Sequence, residues 1–218
     1  MRKKVFCFGC SFTNGTHREE KDWKVSYPYQ LSLLMPNVDV YNFGISGGNN
    51  ILNDLIIKKA YEEFNVDFSI VQFTHPNRFY FSLDNSSEKI GIRYGVEQLT
   101  DNYYLLNNDY VVTYFNVFTP ASLKGVPHRI TKADIKKMSN LYKLLPANQI
   151  KHINETAYLS TLYRLKDKQH YTWSWNKETL GTNVVPDRLK LQCYEDDTKH
   201  LTQLGNQVLA GYLKGTIV

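Results

Sequence analysis

Ser11 lies near one end of the chain, and Asp197 and His200 lie close together near the other. A hydroxyl, an imidazole and a carboxylate are the groups of a nucleophile, the base that takes its proton and the partner that orients the base. The spacing Asp197-x-x-His200 lets both side chains point to the same side of one loop or helical turn; Asp196 is a competing orienter. Ser11 follows the apolar run Val5-Phe6-Cys7-Phe8-Gly9, which reads as a buried strand ending in a tight turn at the glycine. Ser11 is then expected at a strand's carboxyl end, where open α/β sheets keep their ligands.

Four short blocks carry a family resemblance. Gly9-Cys10-Ser11-Phe12 resembles the first block of the SGNH (GDSL-type) hydrolases, with Cys10 where that family usually has Asp. With that cysteine it resembles a variant first block of phage or bacterial type. Asn42-Phe43-Gly44-Ile45-Ser46-Gly47-Gly48 resembles the second block, and Asp197-x-x-His200 the last. The third block, normally Gly-x-Asn-Asp, has its counterpart in Phe73-Thr74-His75-Pro76-Asn77-Arg78, which lacks the glycine. The resemblance implies a three-layer α/β/α sandwich with a mainly parallel, flavodoxin-like central sheet. It also implies an esterase with catalytic Ser11, Asp197 and His200, and an oxyanion hole formed by the N–H groups of Ser11 and Gly47 and the side chain of Asn77. Arg78 becomes a candidate substrate-binding residue, because a guanidinium can stabilise an oxyanion or grip an acidic group. The implied substrate is a small-molecule or carbohydrate ester, with no cofactor and no metal.

The elements needed to position these residues are legible in the first eighty residues. A helix over Tyr27–Leu34 is opened by Pro28, with Leu31 and Leu34 facing inward. Val38–Phe43 is a second strand. Ile51–Phe64 is an amphipathic helix with apolar residues at 51, 52, 55, 56 and 60, and Asn49 and Asn50 as candidate caps. Asp67–Thr74 is a nearly continuous apolar run, typical of a parallel strand covered on both faces. Three strand-to-helix units in succession favour a parallel, doubly wound sheet.

Further on, residues 79–130 read as a substrate-side insertion containing one strong β run, Tyr110–Phe118. Helices are expected over Lys132–Leu145 and Ala147–Lys166, divided by Pro146, and Tyr171–Trp175 as the last sheet strand. A closing helix from Leu201 carries Leu204, Val208, Leu209 and Tyr212 on its inner side. With no internal repeat or linker, one domain spanning 1–218 is expected.

Composition narrows the function classes. The apolar share of 42% and charged share of 22% are those of an ordinary globular chain. A formal charge of +5 permits an acidic partner without demanding one. The lysine-rich helices read first as solvated faces, so nucleic acid is disfavoured as a partner. Three cysteines suit a reducing compartment better than a disulfide framework, and Cys7-x-x-Cys10 lacks a second pair to complete a zinc site. No run approaches the roughly 20 apolar residues of a membrane span, which points to a cytoplasmic, membrane-free protein. The alternative is a catalytically inactive module of the same fold that binds polysaccharide through its sixteen tyrosines, or nucleic acid.

Overall fold

The structure, a computed structural model, describes residues 2–15, 23–45, 48–74, 76, 79–81, 93–94, 97–98, 113–115, 136, 140, 144–174, 183–184 and 201–217. Its elements begin with β1 (Lys3–Gly9), α1 (Ser11–Asn14), a 3-10 turn at Trp23–Val25, α2 (Tyr27–Leu34), β2 (Val38–Gly44), α3 (Asn50–Glu63) and β3 (Phe68–Phe73). There follow β4 (Phe79–Phe81), β5 (Arg93–Tyr94), β6 (Glu97–Gln98), β7 (Thr113–Phe115), α4 (Ala147–Leu165), β8 (His170–Ser174), β9 (Asn183–Val184) and α5 (Gln203–Ile217).

β1 is the middle of the sheet. Parallel β2 pairs along one side of it and parallel β3 along the other, so that Cys7 stands opposite both Asn42 and Ile70. β8 adds in parallel beyond β3 and β9 beyond β8. The parallel strands thus run in the order β2-β1-β3-β8-β9, and the short antiparallel pair β5-β6 extends the β2 edge. β4 and β7 form a separate antiparallel pair, within the stretch expected as an insertion. The chain leaves β1 towards β2 and then crosses back to β3. This is the doubly wound, flavodoxin-like order, whose switch point lies between the carboxyl ends of β1 and β3.

Alternation along β1 sends its side chains into two cores. Val5 and Cys7 pack with Val40, Ile70 and Trp173 beneath α2 and α5, which supply Tyr27, Leu31, Leu209 and Leu213. Phe6 and Phe8 pack with Phe43, Val71 and Phe73 beneath α3 and α4, which supply Leu52, Ile56, Tyr158 and Leu165. The result is three layers, α/β/α. Rings dominate the second core: Phe6 stacks on Phe43 at 4.9 Å and Phe73 meets Tyr158 edge-on at 4.5 Å, geometries that add to simple burial. Asp54 ties α3 to α4 by accepting from Ser160 (3.0 Å), Thr161 (3.1 Å) and the Arg164 guanidinium (3.4 and 3.5 Å).

Local signals account for the helix starts. Ser26 caps α2 by accepting from Tyr29 N, with Pro28 in the first turn. Asn49 caps α3 by accepting from Leu52 N at 2.9 Å, and Pro146 precedes α4. Two inward assignments are corrected. Leu34 is 42% exposed and Leu204 is 61% exposed, while Gly205, Asn206, Ala210, Leu213 and Ile217 join Leu209 on the inner side of α5. The other inward assignments hold: Leu31 and Leu209 are buried and Val208 and Tyr212 pack against the same core, while in α5 the small residues Gly205 and Ala210, which allow close packing, do not register as apolar anchors. β8 is also not the last strand, since β9 follows it at the sheet edge. Of the helix expected over 132–145, Lys136, Asn140 and Leu144 are helical and exposed.

Burial also sets the protonation of the core. Cys7 and Tyr27 are fully buried, and loss of solvation pushes both the thiol and the phenol well above their ordinary values. Each group binds its proton more tightly folded than unfolded. Their stabilisation is therefore complete below the unfolded pKa and is lost as pH rises past about 8.5 for the thiol and about 10 for the phenol. Urea midpoints should fall from about pH 8.5 upward, and Cys7→Val should flatten the part of that fall below about pH 10. Parallel pH curves for the two proteins from pH 7 to pH 10 would show that Cys7 is not the titrating group.

Candidate functional site at the carboxyl end of the central strand

Gly9 ends β1, and Ser11 opens α1 directly beyond it. Cys10 is the extended residue between them, and its carbonyl accepts from Thr13 N (3.0 Å) and Asn14 N (2.9 Å). Gly15 closes the turn in the left-handed region, φ +80°, with its N–H on Ser11 O at 2.8 Å; a glycine takes that conformation without strain. Ser11 is thereby presented at the switch point, 7% exposed, with its Oγ 4.0 Å from Cys10 Sγ. Cys10 itself is buried and directs its sulfur to Gln72 Oε1 at 3.5 Å.

A set of neutral amides fixes this elbow to the strand ends around it. Gln72 Oε1 accepts from Thr13 Oγ1 (2.8 Å) and from Cys10 N (3.2 Å). Asn42 donates to Thr13 O and accepts from Gly44 N, both at 2.9 Å, and Asn14 Nδ2 donates to Gly44 O at 2.6 Å. Ile45 N donates to Gly9 O at 2.9 Å, which holds the chain after β2 against the end of β1. On the other side, Asn50 accepts from Thr74 N (2.8 Å) and donates to Thr74 O (3.3 Å), while Asn53 Nδ2 donates to Gln72 O at 3.1 Å. Burying an amide without a partner costs about 1–3 kcal/mol, so these pairings both remove a penalty and specify one arrangement of the loop. Asn50 is therefore a bridge to β3 and not a cap; Asn49 alone caps α3.

Thr13, Gln72 and Asn53 do not emerge as site residues in a reading for nucleophiles and bases. Their signal was present nonetheless. Gln72 interrupts the wholly buried run Phe68–Phe73, and Asn50 and Asn53 lie one turn apart on the inner side of α3. A polar residue in a strand covered on both faces must find a buried partner.

Among the sequence-derived site residues, Ser11 stands at this elbow. Gly47, Asn77, Arg78, Asp197 and His200 lie outside the described residues, as do His17 and His75. Leu201, the residue after His200 in the chain, is buried in the cluster that contains Cys7 and against which Phe12 packs. Among the described residues, no group of three or more His, Cys, Asp or Glu side chains could hold a metal ion. None of their helices is long and apolar enough to cross a membrane.

The class defined by fold and site is an α/β protein, doubly wound in the flavodoxin-like order, with a buried serine at its switch point. No family model matches the chain, and no curated protein matches it. Among solved structures it is similar to one described as a "putative lipolytic protein of G-D-S-L family" from Desulfitobacterium hafniense DCB-2. That likeness covers 98% of this chain and 99% of the other, with 15% identity and a TM-score of 0.39. The position of Ser11 rests on the strand order and the hydrogen bonds above, not on that likeness.

The elbow is packed tightly enough to require its first glycine. A Cβ on Gly9 would fall on Thr13 Oγ1, 2.6 Å from Gln72 Oε1 and 2.8 Å from Gln72 Cβ, whereas one on Gly211 of α5 would meet nothing within 4 Å. Gly9→Ala should cost about 2 kcal/mol or more through overpacking. Gly211→Ala should add about 0.5–1 kcal/mol through helix propensity. Opposite signs in urea unfolding are the expected result, and a neutral Gly9→Ala would mean the elbow is looser than these contacts imply.

Proposed function

We propose that the chain is a serine hydrolase that cleaves a small ester, a carbohydrate O-acetyl or similar acyl group, through an acyl-enzyme. The observation that carries this reading is the placement of Ser11, first residue of α1, at the carboxyl end of the central strand of a doubly wound sheet. The core cluster gives a second support. Leu201 packs on the same side of the sheet as Phe12, so the chain next to His200 returns to the face on which the serine elbow rests.

In this reading Ser11 Oγ attacks the ester carbonyl while His200 takes its proton, and Asp197 orients the imidazole and stabilises it once protonated. The backbone N–H groups of Ser11 and Gly47 and the side chain of Asn77 receive the oxyanion, and Arg78 contacts the substrate. His200 then returns its proton to the leaving alcohol, and water attacks the acyl-serine by the same route. No cofactor takes part. The chemistry of the first step needs an elbow that does not move, and the amide network around Thr13 and Gln72 suits that requirement.

Hydrolysis of p-nitrophenyl acetate and butyrate tests the assignment. Ser11→Ala should abolish turnover, and Asp197→Ala should lower kcat by roughly 10⁴ where Asp196→Ala stays near wild type. Loss of one oxyanion donor, in Asn77→Ala, should cost roughly 100- to 1,000-fold in kcat. Equal rates for wild type and Ser11→Ala would remove Ser11 from its role and bring forward a binding module of the same fold.

A further inference from the structure

Gln72 is 1% exposed, in a strand whose other members are apolar or small. Its backbone is set by pairing opposite Trp173 and by the Asn53 side chain on its carbonyl. The orientation of its side-chain amide is unambiguous. Cys10 N–H can only donate, so the oxygen and not the NH2 group faces it at 3.2 Å, and the same oxygen accepts from Thr13 Oγ1 at 2.8 Å. Cys10 and Thr13 bracket Ser11 in the first turn of α1. One buried oxygen therefore fixes the chain on both sides of the serine. The approach depends on Gly9, because a Cβ at that position would fall on Thr13 Oγ1 and crowd Gln72 Oε1 at 2.6 Å.

We infer that Gln72 is a positioning residue for Ser11: its side-chain oxygen, through Cys10 N–H and Thr13 Oγ1, sets the direction of the serine hydroxyl and of the first amide of α1. The inference rests on Ser11 being the nucleophile. Without the acceptor, Cys10 N–H is buried with no partner and the elbow relaxes to satisfy it. The loss falls on the chemical step rather than on substrate binding, because Gln72 is enclosed and offers no surface to a substrate.

The test is p-nitrophenyl acetate hydrolysis together with fluorophosphonate labelling of Ser11, both expressed per folded molecule. Gln72→Met keeps the length and removes the oxygen. It should lower kcat and the labelling rate by roughly 10- to 100-fold while KM changes by less than about threefold, the pattern of a displaced reacting group. Gln72→Glu keeps an oxygen facing Cys10 N–H in either protonation state and should recover most of the lost rate. Where Gln72→Met does not fold, Gln72→Asn, which withdraws the same amide by one methylene, should show the same kcat loss. Unchanged kcat in Gln72→Met or Gln72→Asn overturns the positioning role, as does an equal loss in the Met and Glu variants, which would assign the effect to packing. The Ser11→Ala control separates the two levels. If it hydrolyses as wild type does, the serine reading fails and the positioning role fails with it; if it is inactive, a failed Gln72 result removes the positioning role alone.

Discussion

The structure depends on β1 having no free side. Both of its edges are paired in parallel, and both of its faces are covered, by α2 and α5 on the Cys7 side and by α3 and α4 on the Phe6 side. In open α/β sheets the carboxyl end of such an enclosed strand is where ligands are bound. Gly9 permits a close approach, Cys10 continues extended, and Ser11 opens α1. The neighbouring strands end in the same layer: Gly44 closes β2 against Asn14 and Thr13, and Thr74 closes β3 against Asn50.

That enclosure also explains which parts of the molecule were legible in the sequence. β1 and β3 were legible as apolar runs and β2 as an alternating run of β-branched and aromatic residues, and all three were found within one or two residues of their ends. α2 was located residue for residue from Pro28 and its following turn, and α3 from its apolar spacing and Asn49. The inner sides of the helices were less legible. Leu34 and Leu204 were read as inward because they are large and apolar, yet the packing of α2 against α5 uses Leu31, Leu209, Ala210 and Leu213 and leaves those two leucines exposed. β9 was missed because a strand of two residues carries no periodicity.

For the candidate site, the sequence singled out Ser11 as a candidate from its residue type and the Gly-x-Ser turn, and the structure puts it at the carboxyl end of β1. It did not identify the residues that hold the serine in place. Gln72, Thr13, Asn42 and Asn53 act through hydrogen bonds to backbone groups of segments far away in the chain, such as Asn53 on Gln72 O and Asn42 on Thr13 O. Nothing in local spacing encodes such a partner. The available clue was negative: a glutamine amid Phe68-Ser69-Ile70-Val71 and Phe73 has to be satisfied somewhere, and the somewhere is specified only by the fold.

The chemical character of that support matters as much as its position. The side chains that fasten the elbow, Thr13, Asn14, Asn42, Asn50, Asn53 and Gln72, are all neutral. Neutral amides and hydroxyls do not titrate over the range of pH in which the protein folds, so they hold the elbow in the same way throughout and add no net charge beside Ser11. Position 10 belongs to the same neutral surround. Cys10 places a weakly polar sulfur there, facing Gln72. The framework that fastens Ser11 is in this way built without formal charge. The elbow supplies direction without charge.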